Sequence, residues 1–200
     1  MSLIKKNIAL QYGASVLSLK KDEILFHEGD AANFFYQVEE GVVKMVTYSV
    51  DGKEFIQGLF YEGDSFGEPP LFCDFPYPGS ATTLIDTRIL RIPKDRFFDL
   101  LKENFHIHLE LDRILCERLK YKSMILSEIS FYDPEHRICS LLDYLKTKSN
   151  HSIKDEPFQV PLTRQQIADM TGMRVETVIR TIKRMEDAGK LQIQDRKILV

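Results

Sequence analysis

The chain has 200 residues, of which 44% are hydrophobic and 28% are charged, and its formal net charge is −3. This composition is ordinary for a folded protein of one or two domains and excludes a disordered chain. No apolar run approaches the roughly 20 residues needed to span a bilayer, and no apolar segment of signal-peptide length follows the N-terminal lysines. We therefore expect a cytoplasmic protein with no membrane partner.

Charge is distributed unevenly along the chain. Residues 1–130 carry 15 Lys and Arg against 20 Asp and Glu, whereas residues 131–200 carry 12 against 10. The positive balance near the C-terminus predicts a local and modest electrostatic footprint for nucleic acid. The three cysteines, Cys73, Cys116 and Cys139, are scattered and odd in number, which favours reduced thiols over a disulfide framework or a metal cluster.

The first half of the chain has a sequence pattern typical of antiparallel β-structure. Short β-branched and aromatic runs cover residues 23–27, 34–38, 42–48, 54–61 and 82–92. Between the third and fourth runs, Asp51-Gly52 predicts a type I′ hairpin, because both residues tolerate positive φ. Many short strands at regular spacing predict a sandwich or jelly roll.

From Lys94 the pattern becomes helical. It predicts a short helix around residues 97–101 and a long one from about 106 to 130. Along the long helix a seam with near 3.5-residue spacing comprises Leu111, Leu115, Arg118, Lys122, Ile125 and Ile129. Such a seam predicts a two-stranded, coiled-coil-like contact between two copies of the chain. The two basic residues in it are expected to lay their stems on the seam and keep their charges in water.

A hinge is predicted at residues 131–134. Asp133 is a good N-cap and Pro134 suits the first position of a new helix, which we expect to run to about Lys148. A polar linker over residues 147–157 then leads to the C-terminal segment.

The C-terminal segment reads as two helices joined by a tight turn. Thr163 is a good N-cap with Gln166 as its capping-box partner, and Gly172 can take the left-handed conformation that ends the first helix. The second helix is expected from about Val175 to Ala188, with Val178, Ile182 and Met185 facing inward. Residues 191–194 and 197–200 flank Asp195-Arg196 and predict a short wing hairpin.

The outer face of this hairpin carries side chains that suit DNA. Arg180 can pair with guanine, Glu176 can accept from the cytosine amino group, and Thr177 can reach a phosphate. The alternative is a packing corner with solvated charges. The candidate DNA-binding residues are Thr163, Arg164, Gln165, Arg174, Val175, Glu176, Thr177, Ile179, Arg180 and Lys183.

The stretch from Thr163 to Gly172, with the run Val175-Glu176-Thr177-Val178-Ile179-Arg180, resembles the helix-turn-helix of the CRP/FNR superfamily of bacterial transcription regulators. The resemblance implies that Glu176 and Arg180 read bases. The valine that precedes the glutamate, Val175, is similar to the residue of the FNR branch at this position. Ile179 replaces the serine that this branch carries before the reading arginine. The half-site should therefore resemble that of the FNR branch without copying it.

The resemblance covers nearly the whole chain and implies an α+β fold. Its parts are an antiparallel β jelly-roll sensor domain at residues 1–105, a long dimerisation helix at 106–130 and a C-terminal winged helix-turn-helix domain at 131–200. The partners implied are a near-palindromic double-stranded DNA operator, a second copy of the chain and RNA polymerase. Effector control would rotate the DNA-binding domains about the hinge.

Residues 63–81 resemble the phosphate-binding cassette of cyclic-nucleotide-binding domains, whose Gly-Glu pair maps onto Gly67 and Glu68. The family's cassette ends in Arg-Ser-Ala or Arg-Thr-Ala, but Gly79 stands here in the place of the phosphate arginine. We therefore expect a different small-molecule effector, or none, rather than cyclic AMP, and no required cofactor. The candidate effector-binding residues are Gly67, Glu68, Gly79, Ser80, Ala81, Lys122 and Ser123. The last two are included because the resemblance, with an ungapped register back from Asp133, implies that they occupy the positions where the family's central helix reaches the effector. In this alternative to a solvated charge, Lys122 replaces the missing charge of the cassette.

Three other functions compete with this interpretation. The five histidines lack a metal-binding spacing and no nucleophile signature appears, so we do not expect an enzyme. A haem-linked or redox-linked gas sensor of the same superfamily is a stronger rival, although three cysteines are too few to ligate an iron–sulfur cluster alone. The third is a cyclic-nucleotide-binding module whose C-terminal domain does not bind DNA.

Overall fold

The computed structural model describes residues 2–131, 133–148 and 157–200. The chain divides into two compact units, Met1–Arg118 and Leu119–Val200, and the boundary falls inside one long helix. Most of the linker expected at residues 147–157, and Tyr132 in the expected hinge, lie outside the described residues.

The first unit is built on two four-stranded antiparallel sheets, in the orders β1-β8-β3-β6 and β2-β7-β4-β5. Aromatic side chains fill much of its interior, where Phe26, Tyr36, Phe66 and Tyr77 belong to one buried cluster. The predicted antiparallel β domain is therefore confirmed. Its strands are β1 Ser15–Leu19, β2 Ile24–Phe26, β3 Phe34–Glu40, β4 Val42–Tyr48, β5 Glu54–Tyr61, β6 Ser65–Phe66, β7 Ser80–Thr83 and β8 Thr87–Pro93.

Two strand predictions need correction. The run 82–92 is not one strand, because the chain turns at residues 84–86 and passes from β7 in one sheet to β8 in the other. Asp86 holds this turn by accepting hydrogen bonds from the Lys21 amide at 3.0 Å and the Lys20 ammonium at 2.8 Å. The β4–β5 hairpin forms as predicted, but Gly52 alone of the pair Asp51-Gly52 has positive φ, so the turn is not type I′.

A short N-terminal helix, α1 (Lys6–Gln11), was not predicted by any sequence pattern. It is anchored through Ile4, whose side chain is fully buried and whose backbone is held on both sides by Gln37. The Gln37 side chain accepts from the Ile4 amide and donates to the Ile4 carbonyl, each at 2.9 Å. The anchor thus depends on a partner 33 residues away, which no local pattern reveals.

Three further helices start in the first unit. The short helix α2 (Pro69–Cys73) lies between β6 and β7, whereas α3 (Lys94–Glu103) and α4 (Phe105–Phe131) follow β8, and α4 continues into the second unit. The coiled-coil seam expected on α4 is wrong at its N-terminal end. Leu111 is fully buried in the core of the first unit, Leu115 packs against that core, and Arg118 is bound to Glu68. These side chains are packed or bound within their own chain and are not available for a contact with a second copy.

The second unit contains the end of α4, the helices α5 (Pro134–Lys148), α6 (Arg164–Thr171) and α7 (Val175–Asp187), and the hairpin strands β9 (Gln192–Gln194) and β10 (Lys197–Leu199). Asp133 caps α5 by accepting from the amides of Glu135 and His136, as predicted. The α4 end packs on α5, where the rings of Tyr121 and Tyr144 stack with centroids 3.7 Å apart.

Candidate functional site

The turn between α6 and α7 is set by a helix cap and a glycine, both of which the sequence predicted. Thr163 and Gln166 form a reciprocal capping box, in which the Thr163 hydroxyl accepts from the Gln166 backbone amide at 3.1 Å and the Gln166 side-chain oxygen accepts from the Thr163 backbone amide at 2.9 Å. Gly172 ends α6 with φ of 66°, in the left-handed region. The two helices therefore meet at a defined corner.

Helix α7 has one buried face and one exposed face. Val178, Ile182 and Met185 are at most 2% exposed and anchor the helix in the second unit. The outer face is exposed at Glu176, Ile179, Arg180, Lys183 and Arg184. The division matches the 3.6-residue period that predicted it.

Glu176 and Arg180 lie one helical turn apart on the outer face. In the described part of the chain, neither side chain has a hydrogen-bond or ion-pair partner. Ile179 beside them is 53% exposed, which is unusual for a large apolar side chain. These three side chains thus present an acceptor, a forked donor and an apolar tip to solvent.

The remaining candidates on α7 have mixed surroundings. Arg174 is the exposed N-cap, whereas Val175 and Thr177 are partly buried beside it. Lys183 is held by two carboxylates of its own helix, Glu186 at 2.9 Å and Asp187 at 3.3 Å. The hydrogen bonds that the Lys183 ammonium donates to Glu186 and Asp187 raise its pKa.

The DNA-binding candidates at the start of α6 differ in exposure and in hydrogen-bond partners. Thr163 and Gln165 are exposed, and the Gln165 amide donates to Asp169 at 2.8 Å. The Arg164 guanidinium donates to the backbone carbonyl of Arg196 at 2.5 Å, which ties α6 to the tip of the β9–β10 wing. The wing turn predicted at Asp195-Arg196 is present, with positive φ at both residues.

The cassette in the first unit is occupied by the protein's own side chains. Glu68 is fully buried, and its two carboxylate oxygens accept from the Arg118 guanidinium at 3.1 and 3.0 Å. The same guanidinium donates to the Ser65 carbonyl at 2.6 Å and lies 5.2 Å from the centre of the Phe60 ring. The expectation that Arg118 keeps its charge in water is therefore wrong, because Glu68 supplies a buried counter-charge.

The position of the missing arginine is closed by the backbone. A Cβ atom added at Gly79 would lie 2.7 Å from the Val46 carbonyl oxygen and 3.1 Å from the Gln57 side-chain nitrogen. The neighbouring Ser80 hydroxyl is already engaged, since it accepts from the Glu28 amide at 3.0 Å. Any side chain larger than hydrogen at position 79 requires the β4 backbone to move.

An aromatic residue that sequence reasoning did not single out fills the cassette. The Tyr77 ring stacks on Phe26 with centroids 3.7 Å apart, and it would lie 3.2 Å from a Cβ added at Gly67. Tyr77 is 2% exposed, and burial raises the pKa of its hydroxyl. Its hydroxyl lacks a well-aligned hydrogen bond among the described groups, although Tyr36 lies close enough to influence that pKa.

The other effector candidates are distributed over both units. Gly67 and Ala81 are buried in the first unit, while Lys122 and Ser123 are exposed positions of α4 in the second. Within the described ranges, no cluster of three or more His, Cys, Asp or Glu side chains is arranged to hold a metal ion. No described helix combines the length and apolarity needed to cross a bilayer.

Two family models match the chain. The cyclic nucleotide-binding domain matches residues 16–104, and the Crp-like helix-turn-helix domain matches residues 136–200. The sensor and DNA-binding parts of the chain thus match separate domain families in the expected order.

Similar proteins are found among both sequences and structures. The cAMP-activated global transcriptional regulator CRP of Pasteurella multocida is 30% identical over 177 residues, which cover 88% of this chain and 85% of that protein. The anaerobic regulatory protein of Haemophilus influenzae is 25% identical over 183 residues, covering 91% of this chain and 71% of that protein. In fold, a mutant of CooA from Carboxydothermus hydrogenoformans matches with a TM-score of 0.82 at 20% identity, over 100% of this chain and 91% of that one.

The order of the two domain families agrees with the order of the antiparallel β domain, the long helix and the helix-turn-helix along the chain. The relative with 30% identity matches across both domains. The chain is a member of the CRP/FNR superfamily of transcription regulators.

Proposed function

We propose that this regulator acts as a homodimer that recognises a near-palindromic DNA operator through Glu176 and Arg180 of each protomer. The observation that carries the proposal is the pair of exposed side chains on the outer face of α7, which have no partner among the described residues and lie opposite a buried face that fixes the helix. The proposed role is regulatory and contains no catalytic step.

The chemistry of the outer face suits direct readout in a major groove. An arginine fork pairs bidentately with guanine, and a carboxylate accepts from the cytosine amino group. Ile179 offers an apolar tip that can contact a thymine methyl group but cannot donate a hydrogen bond. The half-site should therefore differ from that of relatives with a serine at this position.

The proposed dimer contact uses a face of α4 offset from the seam expected from sequence. Phe105, Leu109, Leu119 and Leu126 are 41–68% exposed, which is a high fraction for such large apolar side chains. With three exposed polar positions they repeat at alternating steps of four and three residues, the spacing of a two-stranded coiled coil. The full set is Phe105, Leu109, Asp112, Cys116, Leu119, Ser123 and Leu126.

A second copy of the chain is the occupant that fits this face. A two-fold axis along α4 would place the same heptad positions of both copies against each other, as an isologous interface requires. It would also present two α7 helices to successive major grooves, about 34 Å apart.

The proposed signal to the β domain is something other than cyclic AMP. A cyclic phosphate would meet no arginine at position 79, and Glu68 already has Arg118 as its partner. Lys122 and Ser123 remain proposed effector contacts on the strength of the family resemblance. The proposal requires no cofactor, and an unidentified small-molecule effector is retained.

RNA polymerase is a further proposed partner, because a regulator bound at a promoter acts through transcription. The similar proteins of Pasteurella multocida and Haemophilus influenzae are a transcriptional regulator and an anaerobic regulatory protein, which supports such a role. This part of the proposal rests on the family and is independent of which effector is sensed.

An electrophoretic mobility shift with genomic fragments tests the proposed function. We expect the wild-type protein to retard a subset of fragments at physiological salt, and Arg180→Ala to lose that selectivity. Lys197→Ala, an exposed cation in the wing, serves as a charge-matched control. If the wild type retards every fragment equally or none, the proposed sequence-specific function is wrong.

A further inference from the structure

Most of the basic side chains around the reading residues are paired with carboxylates of the same chain. Lys183 lies between Glu186 and Asp187, with its Nζ atom 2.9 Å and 3.3 Å from their carboxylate oxygens. Lys183 and Asp187 line the same surface depression as Glu176 and Arg180. The pairing therefore lies directly beside the groups proposed to read bases.

A second pairing involves the start of α5. Glu135, in the first turn of that helix, accepts from Lys190 at 2.6 Å and from Arg184 at 3.3 Å. Arg184 lines the same depression as Arg180, and Lys190 follows α7 in the chain. One carboxylate thus engages two cations from the α7 end of the helix-turn-helix.

The pairing with carboxylates leaves few of the basic side chains near α7 available to DNA. Of the basic residues from 174 to 190, Arg174 and Arg180 alone have no carboxylate partner among the described residues. We call Glu135, Glu186 and Asp187 the acidic mask.

Affinity for random DNA arises mainly from cations that neutralise phosphates and release condensed counterions. A lysine or arginine that already holds a carboxylate must give up that pairing before it gains a phosphate, and the carboxylate itself repels the DNA backbone. Base readout by Arg180 does not depend on this term. A mask beside the reading face therefore weakens random binding more than specific binding.

We infer that the acidic mask is a specificity device: Glu135, Glu186 and Asp187 restrain Arg184, Lys190 and Lys183 and so lower affinity for random DNA relative to the operator. The inference rests on the proposed function, since it presupposes that α7 faces DNA. It adds three acidic residues to the determinants of specificity without requiring any of them to touch a base.

The test compares Glu135→Gln and the double variant Glu186→Gln/Asp187→Asn with wild type. Two fluorescently labelled duplexes are used, one with the site selected by the wild-type protein and one of random sequence, each over a series of salt concentrations. Glu62→Gln is the matched control for the single variant and Glu62→Gln/Asp51→Asn for the double variant, because they make the same charge changes at exposed turns of the first unit. Thermal unfolding is recorded for each variant.

We expect each mask variant to bind the random duplex about threefold to tenfold more tightly than wild type. The slope of log K against log salt concentration should become steeper by about 0.9 for each cation that the substitution frees. The ratio of operator to random affinity should fall, while the matched controls leave it unchanged. A purely structural role would instead weaken binding to both duplexes.

Random-duplex affinities that stay at the wild-type value, or that change only as much as in the matched control, would overturn the inference while leaving the proposed function intact. A wild-type protein that fails to discriminate between the two duplexes would overturn the proposed function, and the inference with it. The wild-type comparison is therefore measured first.

Discussion

The Arg118 guanidinium lies 3.0 Å from the carboxylate of Glu68, a side chain that is fully buried in the first unit. The pair joins the cassette to α4, because Glu68 precedes α2 and Arg118 lies midway along the long helix. A buried carboxylate is tolerated when a cation and further hydrogen bonds compensate it, and Arg118 provides both.

Removing the cation should therefore destabilise the first unit. We expect Arg118→Leu to lower the free energy of unfolding by about 3 kcal/mol, because it leaves the Glu68 carboxylate buried without a counter-charge. Urea denaturation measures the loss. Glu68→Gln/Arg118→Leu should recover much of it, and Lys120→Leu, at an exposed position of α4, should cost little. An Arg118→Leu protein as stable as the control would contradict a compensating role.

Restoring the family's arginine should not restore cyclic AMP binding. Gly79→Arg places a Cβ 2.7 Å from the Val46 carbonyl, so we expect a lower melting temperature and no heat of binding in titrations with cyclic AMP. Gly52→Arg, where a Cβ has open space, controls for the added charge, although its positive φ carries some strain of its own. Cyclic AMP binding by the wild type, or its recovery in Gly79→Arg, would show that the cassette is open.

The proposed α4 contact can be trapped with a native cysteine. Cys116 occupies an exposed heptad position, where it would face its own copy across a two-fold axis. We expect mild oxidation to give a covalent dimer that Cys116→Ser abolishes and Cys73→Ser does not. Leu119→Asp should shift the protein to monomer in sedimentation. Cross-linking through Cys73 alone would place the interface elsewhere.

Alkaline stability should report the stack between α4 and α5. Burial raises the pKa of Tyr121, so its hydroxyl stays protonated in the folded state at a pH where the unfolded chain has released the proton. Stability should therefore fall as pH rises above the unfolded value of about 10. The urea midpoint should fall less between about pH 8 and pH 11 in Tyr121→Phe than in Tyr48→Phe, an exposed control. Equal losses in both variants would show that Tyr121 is not the group responsible.

The parts of the fold that the sequence predicted are those set by local chemistry. The capping box of Thr163 and Gln166, the glycine turn at Gly172 and the Asp133 cap each depend on residues within a few positions of one another. The two-faced pattern of α7 was likewise visible, since one helix carries both its buried and its exposed positions.

The parts that were missed depend on distant partners. Gln37 anchors Ile4 across 33 residues, and Arg118 finds Glu68 across 50. Once Arg118 and Leu111 are engaged by their own chain, the apolar stripe left on α4 shifts by a few residues. A heptad pattern alone cannot decide which of two adjacent stripes faces the protein's own core.

The Glu135 part of the acidic mask was also beyond sequence reasoning, because Arg184 and Lys190 are distant from it in the chain. The pairing of Lys183 with Glu186 and Asp187 is local, at spacings of three and four residues in α7, and a helical pattern can reveal it. Net charge counts Lys183, Arg184 and Lys190 as available cations, but each has a carboxylate within 3.3 Å. Glu135 lies 49 residues from Arg184 in the chain, so a tally of charge in the helix-turn-helix overstates what can reach DNA.

The most direct test of DNA reading by α7 is selection of DNA sites from a random pool by the wild-type protein and by Arg180→Ala. We predict that the wild type enriches a near-palindrome with half-sites one helical turn apart, and that Arg180→Ala relaxes one base pair in each half-site at a cost of about 1–3 kcal/mol. Enrichment of no sequence by the wild type, or an unchanged site in the variant, would contradict the claim that α7 reads DNA through Arg180.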